Sequence, residues 1–106
     1  PFAIVAAESM LKEKSTYICW EWNGCGNPKL VKRAADLSAK SGGVVKFDLK
    51  AADPSLSLAL SGVSNEMAFR NFAMLGECKE TLTATTLLVP GYVDAQGVLQ
   101  IFKKIG

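Results

Sequence analysis

Two short stretches of this chain carry polar or charged side chains at every second position. Glu21 and Asn23 alternate with Trp20 and Trp22, while Lys46, Asp48 and Lys50 alternate with Val45, Phe47 and Leu49. Successive side chains of an extended strand point to opposite faces, so each polar set shares one face and each apolar set the other. A carboxylate accepts hydrogen bonds from an ammonium or from ribose hydroxyls, and a lysine engages a ligand carboxylate. The set Glu21, Asn23, Lys46, Asp48 and Lys50 therefore suits a zwitterionic, hydroxyl-rich ligand. Parallel strands covered by helices on both sides read as unbroken apolar runs, so alternation predicts that one face lines a barrel interior or a wet cavity. A solvated edge strand is the plainer reading of either stretch alone. Two neighbouring stretches with the same pattern favour a shared rim, at the carboxyl ends of the strands where α/β folds place ligands.

The elements that must position these residues follow from periodicity and turn chemistry. Residues 3–14 set Ile4, Ala7 and Leu11 on one helical face, and residues 17–22 read as a first strand. Asn23-Gly24-Cys25-Gly26 is a glycine-permissive turn, after which Asn27-Pro28 caps a helix with Leu30, Val31, Ala34, Leu37 and Ser41 on one side. Gly42-Gly43 stops it before a second strand over 44–49. Asp53-Pro54 starts a short helix reaching about Leu60; Ser61-Gly62 breaks it, and Ser64 caps another that buries Ala68, Phe69, Phe72 and Leu75 and ends at Gly76. Residues 82–89 form a third strand, Pro90-Gly91 turns, and Asp94 caps a last helix bearing Val98, Leu99 and Phe102. Strands alternating with helices predict an α/β fold with a parallel three-stranded sheet, in one domain over residues 1–106.

Composition narrows the function classes. The chain has no histidine, which excludes a Ser-His-Asp triad and imidazole acid/base chemistry within it. Cys19, Cys25 and Cys78 match no zinc or cluster spacing and are expected as free thiols. A net charge of +2 with scattered lysines and arginines points to no nucleic-acid partner. No apolar run approaches the roughly 20 residues of a membrane span. A start without a basic leader or methionine points to a cytoplasmic piece of a longer protein. Trp20 and Trp22 share the parity of Ile18 and are expected in the core. Met10, Met67 and Met74 are expected as core filler, and Ser64 and Asn65 as helix capping residues.

Four short runs occur in one order: Trp22-Asn23-Gly24 after Glu21, Phe47-Asp48-Leu49-Lys50, Gly62-Val63-Ser64-Asn65, and Val89-Pro90-Gly91-Tyr92-Val93-Asp94. In these runs, which span nearly the whole chain, it resembles the radical S-adenosylmethionine (SAM) activating enzymes of glycyl-radical proteins, the pyruvate formate-lyase activating type. The resemblance implies a central segment of a partial, TIM-like (β/α) barrel. It implies that Glu21, Asn23, Gly24, Lys46, Asp48 and Lys50 bind SAM, with Glu21 where the family usually carries aspartate. In the complete parent it implies a [4Fe–4S] cluster, reductive cleavage of SAM to a 5′-deoxyadenosyl radical, a glycyl-radical protein as substrate, and a flavodoxin- or ferredoxin-type electron donor. Some members hold a monovalent cation among these strand-end carboxylates; here Lys46 is expected to replace it by bridging Glu21 and Asp48.

The chain departs from the pattern in three respects. The Cys-x-x-x-Cys-x-x-Cys loop and the Gly-Gly-Glu segment are not among its 106 residues, and Thr85 stands where many members have arginine. Without cluster ligands the isolated chain is expected to be inactive, and a truncated, non-catalytic barrel is one alternative. A lyase using Lys50 as a Schiff-base amine is another.

Overall fold

The structure, a computed structural model, describes residues 1–78 and 81–106, without the side chain of Cys78. The expectation of a free thiol at Cys78 thus lies outside the described residues. In chain order the elements are α1 (Phe2–Glu13), β1 (Trp20–Trp22), α2 (Pro28–Ser41), β2 (Val45–Asp48), α3 (Pro54–Ser61), α4 (Glu66–Met74), a 3-10 turn (Gly76–Cys78), β3 (Leu82–Thr85) and α5 (Ala95–Ile105). The three strands form one parallel sheet in the order β1-β2-β3.

Local chemistry accounts for most helix boundaries. Asn27, Asp53 and Asp94 each accept a backbone N–H of the first turn of α2, α3 and α5, and proline follows the first two caps. Gly42 closes α2 in the left-handed conformation at φ 75°. Helix α4 departs from expectation. Of its two expected capping residues, Asn65 holds the cap position but makes no side-chain cap bond, and Ser64 Oγ accepts only a long 3.4 Å bond from Glu66 N. The helix also stops at Met74, so Gly76 opens the 3-10 turn instead of ending α4.

The apolar parity of the strands builds the core. Val45, Phe47 and Leu49 are buried against Val31 and Ala35 of α2, Ala68 and Phe69 of α4, and Ile101 of α5, with Trp20, Trp22, Leu82 and Ala84 packed at the margin. Phe47 is the centre: its ring meets Trp22 and Phe72 edge-on at centroid distances of 5.6 and 5.3 Å. Burying such a side chain stabilises by about 1.5–3 kcal/mol. Trp20 donates its indole N–H to Ala34 O at 2.8 Å, which agrees with the core role expected of it. A second cluster joins Ile4 and Ala7 of α1 to Ile18, Ala34 and Leu37. The opposite parity, Glu21, Lys46, Thr83 and Thr85, is exposed.

Strands are shorter than their apolar runs, because a strand ends where its partner does. β1 begins at Trp20, since Ile18 N donates to Ser41 Oγ instead of to a neighbouring strand. β3 ends at Thr85 opposite Asp48, the last residue of β2, leaving Leu87 and Leu88 exposed. Val89 then pairs back on Val93 across the Pro90-Gly91 turn. Met10, Met67 and Met74 are exposed and fill no core; they lie outside the narrow arc each helix buries. Leu99 and Phe102 of α5 are likewise exposed, and Ile101 is the residue that α5 buries.

α1 is tied to α2 by a two-pronged ion pair, Arg33 Nε to Glu8 Oε1 at 2.7 Å and Arg33 Nη2 to Glu8 Oε2 at 2.6 Å. The hydrogen bond from Arg33 holds the Glu8 carboxyl below its ordinary value of 4.5. A depressed carboxyl adds stability above its unfolded value and loses it as pH falls through the folded one. α1 is therefore expected to loosen below about pH 4.5, in advance of the sheet, and more readily in high salt. Amide exchange of α1 against β2 across an acid titration measures this, and Glu8→Gln should abolish the difference.

Candidate functional site

The uncovered face of the sheet collects the polar residues singled out by parity. Glu21 is in register with Lys46, Lys46 with Thr83, and Asp48 with Thr85, so these side chains form two rows on one face. At the end of β2, Lys50 Nζ meets Asp48 Oδ2 at 2.7 Å, and each side chain remains about a third exposed. Lys46 has no ion pair among the described residues, so the expected Lys46 bridge between Glu21 and Asp48 is not formed. Lys50 lies past the last residue of β2, where it folds back on Asp48, whereas Lys46 is held within the strand.

The turn after β1 is fixed from both ends. Asn23 Oδ1 accepts Cys25 N at 3.0 Å, and Gly24 adopts φ 76° directly over the Phe47 ring. From α4, Asn71 donates both amide hydrogens, to Gly24 O at 2.7 Å and to Gly26 O at 2.8 Å, and it is 1% exposed. Asn71 did not emerge from the sequence reading. Its signal was a polar residue at helical spacing from Ala68 and Leu75, on the stripe that α4 buries.

Between this turn, the end of β2 and the α3–α4 junction lies a cleft of about 240 Å³, lined among others by Asn23, Cys25, Asp48, Lys50, Ser61 and Asn65. Its floor includes Leu49 and Ala68. Of the residues expected to bind a cofactor, Asn23, Asp48 and Lys50 line the cleft. Gly24 lies behind it, and Glu21 and Lys46 stand outside it on the open sheet. Asn65 is 5% exposed; its Nδ2 donates to Ala51 O, and its Oδ1 has no partner among the described residues. A larger hollow of about 360 Å³ near Tyr92 and Gln96 offers less, because the carboxylates of Asp53 and Asp94 on its wall are engaged in helix capping.

Comparison with protein-family models, with curated proteins and with solved structures finds no match. The site must therefore be read from its own chemistry. Among the described residues no group of three or more His, Cys, Asp or Glu side chains is placed to hold a metal ion. Cys19 is exposed, and Cys25 faces the carbonyls of Asn23 and Ser64 through its sulfur. These residues do not fit an iron–sulfur cluster. No helix among the described residues is long and apolar enough to cross a membrane.

Proposed function

We propose that the uncovered strand-end face binds S-adenosylmethionine, as the central part of a radical SAM barrel of the type the sequence motifs resemble. The observation that carries this reading is that Glu21, Lys46 and Asp48 share one bare face of parallel strands, with Asp48 and Lys50 at the carboxyl end of β2 lining a cleft. In the ligand, ribose hydroxyls donate to the Asp48 carboxylate, and the methionine carboxylate draws the Lys50 ammonium. Glu21 and Lys46, in register on the sheet floor, present a complementary charge pair to the zwitterionic end. Packing helices on one side and a polar face on the other suit a barrel wall whose inner surface is polar. In a complete parent the same reading assigns SAM cleavage by an electron from a flavodoxin- or ferredoxin-type donor, a glycyl-radical protein as substrate, and a cytoplasmic location. The Schiff-base alternative loses ground, because Lys50 is engaged with Asp48 at 2.7 Å.

Calorimetry with SAM tests the proposal. Wild-type protein should bind it saturably, and Lys50→Ala should weaken binding by about tenfold or more, as expected for loss of a charged hydrogen bond. Absence of saturable heat, or equal affinity in Lys50→Ala, would rule the site out.

A further inference from the structure

Asn23-Gly24 is the one Asn-Gly pair among the 106 residues; the other asparagines, Asn27, Asn65 and Asn71, precede Pro28, Glu66 and Phe72. Such a pair is chemically labile. When the backbone amide of the second residue gives its proton to hydroxide, its nitrogen attacks the asparagine Cγ. A C–N bond forms, closing a five-membered succinimide, and the side-chain nitrogen leaves as ammonia with a proton from water. Water then opens the ring at either carbonyl, leaving aspartate or isoaspartate, so the net change consumes water and releases ammonia. Glycine favours closure because no Cβ crowds the attacking nitrogen. Proline has no amide proton to lose, and glutamate and phenylalanine carry the Cβ that glycine lacks.

In the folded chain both halves of the pair are restrained. Asn23 is exposed to water, but its Oδ1 accepts Cys25 N at 3.0 Å. Gly24 is buried over the Phe47 ring at φ 76°. Upstream, Trp22 ends β1 in register with Phe47. Downstream, Asn71 of α4, 1% exposed, donates to Gly24 O at 2.7 Å and to Gly26 O at 2.8 Å. Ring closure requires the Gly24 nitrogen to eclipse the Asn23 Cβ, a rotation about Cα–C that lies between the helical and extended basins. Neither basin is reactive as it stands. With Trp22 held in the sheet, that rotation carries the Gly24 and Gly26 carbonyls away from Asn71. Both bonds must break, and a buried carboxamide is left without its acceptors.

We propose that Asn23-Gly24 is a site of spontaneous deamidation held in check by Asn71, so that Asn23 converts to aspartate or isoaspartate when α4 parts from the turn. The product alters the cleft that Asn23 lines beside Asp48 and Lys50. Aspartate adds a negative charge to a wall whose charges now pair at 2.7 Å. Isoaspartate also inserts a methylene into the backbone of a turn fixed at both ends. The inference needs no ligand and stands apart from the SAM reading.

The whole chain is incubated at mildly alkaline pH, digested at intervals, and the peptide holding residue 23 is scored for the mass gain of amide to acid and for isoaspartate. Wild type unfolded in guanidinium chloride should convert at Asn23 about tenfold or more faster than the folded protein, the effect of two hydrogen bonds that must break, and ahead of Asn65 and Asn71. Asn71→Ala removes both donors and should speed conversion in the folded protein by about tenfold or more. Val45→Ala is the control: Val45 is 1% exposed in the main core and pairs with Trp20 and Leu82, away from the turn, so its loss weakens the whole fold. The two variants are compared at denaturant concentrations that leave equal folded fractions, which equalises passage through global unfolding. Wild type below its unfolding transition supplies the same reading without a variant: conversion should exceed the unfolded fraction multiplied by the unfolded rate. No conversion at Asn23 in the unfolded chain, or equal rates folded and unfolded, overturns the proposal. So does Asn71→Ala no faster than Val45→Ala, or wild-type conversion that merely tracks the unfolded fraction.

Discussion

Gly43→Ala is expected to leave the protein largely unfolded at room temperature. A methyl group at this position would lie 2.0 Å from Ile18 O, 2.7 Å from Ile18 C and 3.1 Å from Ile18 N, all backbone atoms. Neither a rotamer change nor a small breathing motion removes such a contact. Three bonds also hold the Ile18 segment in place: Ser38 Oγ to Ile18 O at 2.7 Å, Ile18 N to Ser41 Oγ at 2.8 Å, and Trp20 N to Val44 O at 3.0 Å. Relief requires parting the start of β1 from β2, and a loss above about 4 kcal/mol is expected. For a chain near the lower end of the typical total of about 5–15 kcal/mol, a loss of that size or larger is comparable with the whole margin. Urea unfolding followed by far-UV circular dichroism measures it. Gly42→Ala is the control, since Gly42 has φ 75° but its nearest neighbour is the Tyr17 ring at 3.3 Å; there the conformational strain of about 1–2 kcal/mol dominates. A Gly43→Ala protein as stable as the Gly42→Ala control would refute the close approach of β1.

Gly24→Ala should be the second most damaging single change, and it reaches the ligand site. Two effects add: φ of 76° disfavours any residue with a Cβ, and that Cβ would lie 2.4 Å from Phe47 Cδ1 and 2.5 Å from Cε1. The strain contributes about 1–2 kcal/mol and overpacking about 1–3 kcal/mol. The Phe47 ring is fully buried between Trp22 and Phe72 and has nowhere to turn. The midpoint of urea unfolding should fall with an unchanged slope. Adding Phe47→Leu should cost less in the Gly24→Ala background than in the wild type, because the smaller side chain relieves the steric part. Additive losses in that cycle would mean that Gly24 and Phe47 do not touch. Surviving Gly24→Ala protein should also bind SAM more weakly, because Asn23 and Cys25 flank the displaced residue on the cleft wall.

The sheet and its polar face are legible in the sequence, because period-2 alternation is a local property of an extended chain. Helix starts at Asn27, Asp53 and Asp94 were legible for the same reason: each cap bond closes within three residues. The cap position of Asn65 was legible, but the partner of its side chain was not. Its amide is drawn fourteen residues away to Ala51 O, a partner that local spacing does not disclose. Lys46 and Lys50 were equivalent by spacing, each two residues from Asp48, and only the end of β2 decided which one pairs with it. Met10, Met67 and Met74 are exposed because apolarity alone does not bury a residue and each helix buries only a narrow arc.

The amino-acid order by itself determined the alternation of strands and helices, the side of each strand that carries charge, and the glycine turns between them. These depend on backbone preferences and side-chain periodicity over a few residues. Only the tertiary structure decided where the strands stop, that Asn71 braces the Asn23–Gly26 turn, and that β1, β2 and the α3–α4 junction enclose a cleft. Each of these arises from contacts between segments distant in the chain, whose meeting is governed by burial of Phe47 and its neighbours and leaves no local trace in the order of residues.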